Sequence, residues 1–142
     1  MKRLKDAIQI TYGTIYFVIY IAASILQILL APILVVYAWI KIAMIRDKKK
    51  RDDSFGLYNE KISILKDILG NVMGAYLFND VLIKKDGYKF GRRYETISSV
   101  LGKNKRLGKL TFVGKVLCYI LDKIDENHCE KSISYDNIID KE

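Results

Sequence analysis

The segment ENHCEKSI, residues 126–133, holds the only histidine of the chain, His128, beside one of its two cysteines, Cys129. A thiol next to an imidazole has two reactive uses. Cys129 could be a nucleophile with His128 as its base, or the pair could supply two ligands of a metal site. A zinc site needs about four ligands, and Cys118 and Asp125 are the nearest further donors. That spacing matches no standard structural zinc pattern, so no metal and no cofactor are expected. A plainer reading has its own mechanism. Asn127 followed by Glu130 spells N-x-x-E, a variant capping box, which would place His128 and Cys129 in a first helical turn. Cys118 then serves as a small hydrophobe on an apolar face. Spacing alone favours this reading.

Other chemical signatures fail. Gly102-Lys103 suggests a phosphate loop, but that motif needs glycine where Ile97 stands and Ser or Thr where Asn104 stands. Neither GxSxG nor HExxH occurs, and one histidine cannot supply a two-histidine metal site.

These residues must be positioned by the second half of the chain. Apolar residues from Ile62 to Val81 recur at helical spacing, which predicts one helix over 59–84. Gly70 and Gly74 within it form a GxxxG pattern, which in so charged a segment is incidental more often than it is a contact motif. Residues 85–95 read as a loop or short hairpin turning at Asp86-Gly87. A short helix follows, with Gly102 as its C-terminal cap. Leu110, Val113, Leu117, Ile120, Leu121 and Ile124 share a face, which predicts a second longer helix over 109–123. Residues 134–142 carry few structural signals and read as a frayed tail.

The first third is of another kind. Residues 7–40 contain no charged side chain, a run of 34 residues against about 20 needed to cross a bilayer core. A span over 15–39 puts Tyr16 and Tyr20 at one interface and Tyr37 and Trp39 at the other. Pro32, the only proline, marks a kink or a re-entrant turn. So small a domain could hardly bury such a helix on every side, and the run is too long for a signal peptide. More Lys and Arg follow the run than precede it, which puts the remainder in the cytoplasm, although the basic N-terminus opposes this.

Net charge is +8, which favours anionic partners. Between Lys84 and Lys115 ten Lys or Arg meet two acids. Lys84, Lys85, Lys89, Arg92, Arg93, Lys103, Lys105 and Arg106, interleaved with aromatics, are the candidate anionic-partner surface, for lipid headgroups or nucleic acid. Plain solvated surface is the commoner explanation of such runs. Two cysteines are too few for a secreted disulfide framework; a reducing compartment fits better, with a single Cys118–Cys129 bridge left open.

Gly70-Asn71, then ETISSVLGKNKRLGKL from Glu95, then LCYILDKIDENHCEKSI from Leu117 together resemble a family of small bacteriophage proteins. Its members run as a G-N helix, a D-E-T-[IL]-S-S-R-L-G-K segment, an L-C-x-x-L-D helix and an I-D-P-x-H-C-E-K-S-I ending. The resemblance covers residues 70–133. It implies a phage or prophage context and gathers Glu95, Thr96, Ser98, Asp125, His128 and Cys129 into a site whose kind it leaves open. Val100 stands where the family has Arg, and Glu126 where it has Pro. The first weakens any role for that arginine, and the second leaves the turn before His128 less rigid.

The expected architecture is mainly α: a membrane segment with basic flanks over 1–51, a small helical domain over 52–133, and a tail over 134–142. The expected protein is a phage-encoded accessory protein at the bacterial inner membrane with its domain in the cytoplasm, or a virion component. Its domain would bind lipid, nucleic acid or another phage protein in entry, lysis or host takeover. Two alternatives are a holin-like pore and a thiol-dependent enzyme using Cys129, with His128, Asp125, Glu95 and Ser98 as the other catalytic candidates.

Overall fold

A computed structural model describes residues 2–139, with side chains described over 9–133. The described residues form six helices: α1 (Lys2–Ala43), α2 (Lys48–Met73), α3 (Ala75–Val81), α4 (Ile97–Arg106), α5 (Phe112–Ile124) and α6 (His128–Ile139). The only pairing of extended backbone among them is an isolated antiparallel bridge between Ile83 and Leu110. Residues 140–142, the end of the expected tail, lie outside the described part. The chain divides into two units, Met1–Gly56 and Leu57–Glu142, and the boundary falls inside α2.

In the first unit, α1 is one continuous helix through Pro32, without a re-entrant turn. Proline removes a single backbone donor, and the long apolar run on both sides carries the helix past it. Residues Gln9–Ala43 have a mean hydropathy of 2.5, and none of the most apolar window is buried. At about 1.5 Å per residue the helix is long and apolar enough to cross a membrane. Two of its hydroxyls are spent on its own backbone: Thr14 Oγ1 donates to the Ile10 carbonyl at 3.0 Å and Ser24 Oγ to that of Tyr20 at 2.8 Å. Asp47 opens α2 by accepting the Lys50 N–H at 2.7 Å, so the basic run 48–51 is helical rather than linker.

In the second unit, the single helix expected over 59–84 is two helices. The break lies at Gly74, where a Cβ would collide with the Phe78 ring; that ring packs directly on the bare backbone. Gly70 instead lies 3.0 Å, at its would-be Cβ, from Ile97 on α4, so the two glycines of the GxxxG serve separate contacts inside this unit.

Helix α4 is the most enclosed element, with Ser98, Ser99, Val100, Leu101, Gly102 and Asn104 buried. It starts where Thr96 caps the Ser99 N–H at 3.0 Å. It does not stop at Gly102, which is mid-helix. A Cβ there would strike the Cys129 carbonyl, so this glycine lets α6 approach α4 rather than ending the helix. Helix α5 begins at its Thr111 cap, which accepts the Gly114 N–H at 3.1 Å. Gly114 likewise admits the Leu82 carbonyl. Val100, Leu101, Leu82, Ile83, Phe90, Leu110, Cys118 and Cys129 make the core.

Residues 84–95 form a loop that three asparagines hold in place. Asn71, fully buried, donates to the carbonyls of Arg92 (3.0 Å) and Glu95 (2.7 Å) and accepts the Gly91 N–H (2.9 Å). Asn79 accepts the Phe90 N–H at 2.9 Å, and Asn104 both accepts from and donates to the Tyr88 backbone at 2.8 Å. A loop has no ladder to satisfy its backbone groups, and these amides stand in for one.

Candidate functional site

The turn between α5 and α6 brings Asp125 and His128 together, and α4 presents Ser98 to them. His128 Nδ1 lies 3.1 Å from Asp125 Oδ2, and its Nε2 lies 3.1 Å from Ser98 Oγ. Ser98 Oγ also donates to Asp67 Oδ2 at 3.0 Å, while Asp67 Oδ1 accepts the Ile97 N–H at 3.1 Å. One polar chain, Asp67–Ser98–His128–Asp125, thus joins α2, α4 and the start of α6. It borders a cleft of about 260 Å³, whose walls include Glu60, Ile64, Thr96, Lys131 and Ser132. His128 and Lys131 hold the Asp125 carboxyl below the ordinary carboxylate value, in that order of effect.

Asn127 does stand before the first turn of α6, but not as an extended cap. Its φ is 58°, in the left-handed region that asparagine tolerates, and its backbone carbonyl accepts the Glu130 and Lys131 N–H groups at 3.0 Å. Glu130 does not reach back; it pairs with Arg106 of α4.

The Ser–His–Asp order is that of an acyl-transfer relay, yet Asp67 sets it apart. The Ser98 hydroxyl has one proton, and the Asp67 carboxylate, an acceptor at 3.0 Å, competes with His128 Nε2 for it. A second carboxylate beside the hydroxyl would also repel the oxyanion such chemistry must stabilise. Ser98 is 4% exposed. The chain ties helices together, and it can switch to the relay order only if Ser98 lets go of Asp67.

The cysteines lie elsewhere. Cys118 and Cys129 are buried side by side between α5 and α6, within disulfide distance, with Cα atoms 6.2 Å apart. Their nearest further donor is Asp122, not Asp125 or His128. Burial would raise the Asp122 carboxyl, but Lys105, at 2.7 Å, and the Cys129 N–H, at 3.1 Å, outweigh it and hold it low. The four ligands considered for zinc are therefore divided between two clusters, and among the described residues Cys118, Asp122 and Cys129 are the donors close enough together to share an ion. Cys129 has no exposed surface, so no substrate reaches its sulfur in this conformation.

Glu95 is apart from the cleft. It accepts from Tyr88 Oη at 2.5 Å and Lys103 Nζ at 2.6 Å, and its other oxygen is buried without a hydrogen-bond partner. Burial, then the Glu95 carboxylate, raises the Tyr88 phenol. Tyr88 is also stacked by Arg92, 4.6 Å above its ring.

The eight candidate cations split in two. On α4, Lys103, Lys105 and Arg106 are paired with Glu95, Asp122 and Glu130. On the loop, Lys84, Lys85, Lys89, Arg92 and Arg93 meet no acid within ion-pair distance among the described residues. Lys84 and Lys89 bond backbone carbonyls, of Gly108 and Lys85. The asparagine-held loop is thus the part of the basic stretch with charge to offer. Sequence reasoning missed Asp67, Asn79 and Asn104. Their partners lie 11 to 31 residues away, beyond the reach of any local pattern.

No protein-family model matches the chain, and comparison with curated proteins and with solved structures gives no match.

Proposed function

We propose that the chain is a membrane-anchored accessory protein whose helical domain holds an anionic partner on the 84–93 loop at the bilayer surface. The observation that carries this reading is the pairing of two features. Helix α1 leaves its whole apolar window uncovered, and the loop displays five cations that meet no acid partner among the described residues, on a rigid, asparagine-pinned backbone. Apolar surface of that extent needs lipid around it, and fixed cations beside a bilayer meet anionic headgroups or a polyanion held there. The cation-rich side of α1, from Lys41 through Arg51, supports a cytoplasmic domain. The resemblance to small phage proteins supports a phage-encoded role in entry, lysis or host takeover. A pore finds less support, because the Thr14 and Ser24 hydroxyls of α1 are satisfied within the helix.

The test is binding of the full chain, reconstituted in neutral nanodiscs, to anionic vesicles and to single-stranded nucleic acid across a salt series. Lys85→Glu with Arg93→Glu should abolish binding, whereas Lys105→Gln with Arg106→Gln should leave it nearly intact. Equal loss from both pairs would show that the loop is not the binding surface.

A further inference from the structure

The outer face of α5 is apolar and uncovered. At about 100° per residue, Phe112, Val113, Val116, Tyr119, Ile120 and Ile124 fall on one arc of roughly 140°. Gly114, Leu117, Cys118 and Leu121 lie opposite and pack inward, so the helix is apolar nearly all round. Phe112 is 81% exposed, Ile124 79% and Tyr119 62%. A helix of this composition is ordinarily covered on both faces. This one is covered on one.

The charges that α5 itself carries beside the arc are lysines. Lys123 lies 5.4 Å over the Tyr119 ring, and Lys115 flanks the arc. The sole acid of the helix, Asp122, is turned away to Lys105 and the Cys129 N–H. Lys109 precedes the helix, and its carbonyl accepts the Lys84 N–H at 2.8 Å, so the basic loop and the head of α5 share an edge. Phe and Tyr on an apolar face, with Lys115 at its edge and Lys123 reaching over the Tyr119 ring near its C-terminal end, is the composition of a helix lying in a membrane interface. A symmetric pairing of two copies through this face would instead bury Lys123 of both copies in the contact, which like charge and desolvation oppose.

We propose that the outer face of α5 lies in the bilayer interface, with its apolar arc at the acyl boundary and Lys115 and Lys123 on anionic headgroups; Lys109 is already paired with Asp86. This rests on the membrane-anchored reading and adds that the domain lies down on the surface to which it is tethered. The 84–93 loop is then held at headgroup level by the element it adjoins.

The experiment uses the full chain in vesicles of phosphatidylethanolamine and phosphatidylglycerol, in a Trp39→Phe background. Phe112→Trp and Ile124→Trp are introduced singly at these exposed positions, and circular dichroism checks the fold of each. Lipids brominated along the acyl chain should remove most of the tryptophan emission of both variants. Lys115→Glu with Lys123→Glu should restore it while the protein still floats with the vesicles. Co-flotation without quenching at either position overturns the inference and leaves the anchor standing. Quenching replaced by concentration-dependent crosslinking between copies overturns it in favour of self-association. Failure to co-float overturns the anchored reading itself.

Discussion

Replacing Asn71 by alanine should be the most damaging polar-to-apolar change in the 57–142 unit. The amide is fully buried and makes three hydrogen bonds to the backbone of residues 91–95, the one to Glu95 being itself buried. At a net contribution of about 1 kcal/mol per bond the loss is about 3 kcal/mol, and stranded backbone groups push it higher. Asn79, partly buried with one good bond at 2.9 Å, sets the scale: its alanine variant should lose about 1 kcal/mol. Asn71→Asp should be at least as harmful as Asn71→Ala, because a carboxylate keeps the acceptor for Gly91 but confronts two carbonyls as a buried charge. Urea unfolding of the full chain in detergent, followed by tyrosine fluorescence, reads the difference. With a slope of about 1–3 kcal/mol per molar, the midpoint should fall by roughly 1–3 M for Asn71→Ala. Hydrogen exchange at Gly91–Glu95 should speed up even where the rest of the domain stays protected. Equal midpoint shifts for Asn71→Ala and Asn79→Ala would refute the claim that burial and bond number set the loop's stability.

Gly102→Ala should destabilise by about 2–3 kcal/mol in the same assay, since its Cβ meets the Cys129 carbonyl and α4 and α6 must separate. Gly56→Ala should instead be neutral or stabilising by up to about 1 kcal/mol, because nothing crowds that helical position. Asp122 has its folded carboxyl held below the ordinary 3.8, so the stability it contributes is present above that value and is lost as pH falls through the lower folded one. An acid titration of the unfolding midpoint should show this loss, and Asp122→Asn should flatten it. The cysteines should resist maleimide in the folded protein and react only after unfolding, with or without a reductant according to compartment. Rapid labelling of Cys129 in the native state would revive the thiol-enzyme reading.

How much of this was legible in the sequence follows from the range of each interaction. The apolar run of α1 and the 3.6-residue repeat of α5 are local patterns and appear where the spacing puts them. Gly102 misleads because its reason for being glycine is the Cys129 carbonyl of another helix, whereas a sequence pattern sees only a helix stop. The break at Gly74 is hidden for the same reason, since the apolar period runs straight through it. Of the candidate site, the resemblance rather than spacing gathers Ser98, Asp125 and His128, and these three do come together. Cys129 and Glu95 are drawn elsewhere by the core and by Tyr88. Asp67 carries no signal at all: it acts by capping a helix that begins thirty residues later.

The claim on which all else depends is that α1 anchors the chain in a membrane. The direct test is alkaline carbonate extraction of membranes from bacteria expressing the full chain, alongside an Ile25→Arg, Leu29→Arg variant. The wild-type chain should stay in the pellet and the doubly charged variant should move to the supernatant. A wild-type chain released by carbonate would mean that the apolar helix is covered by protein rather than lipid, and the account of the anchored domain would fall with it.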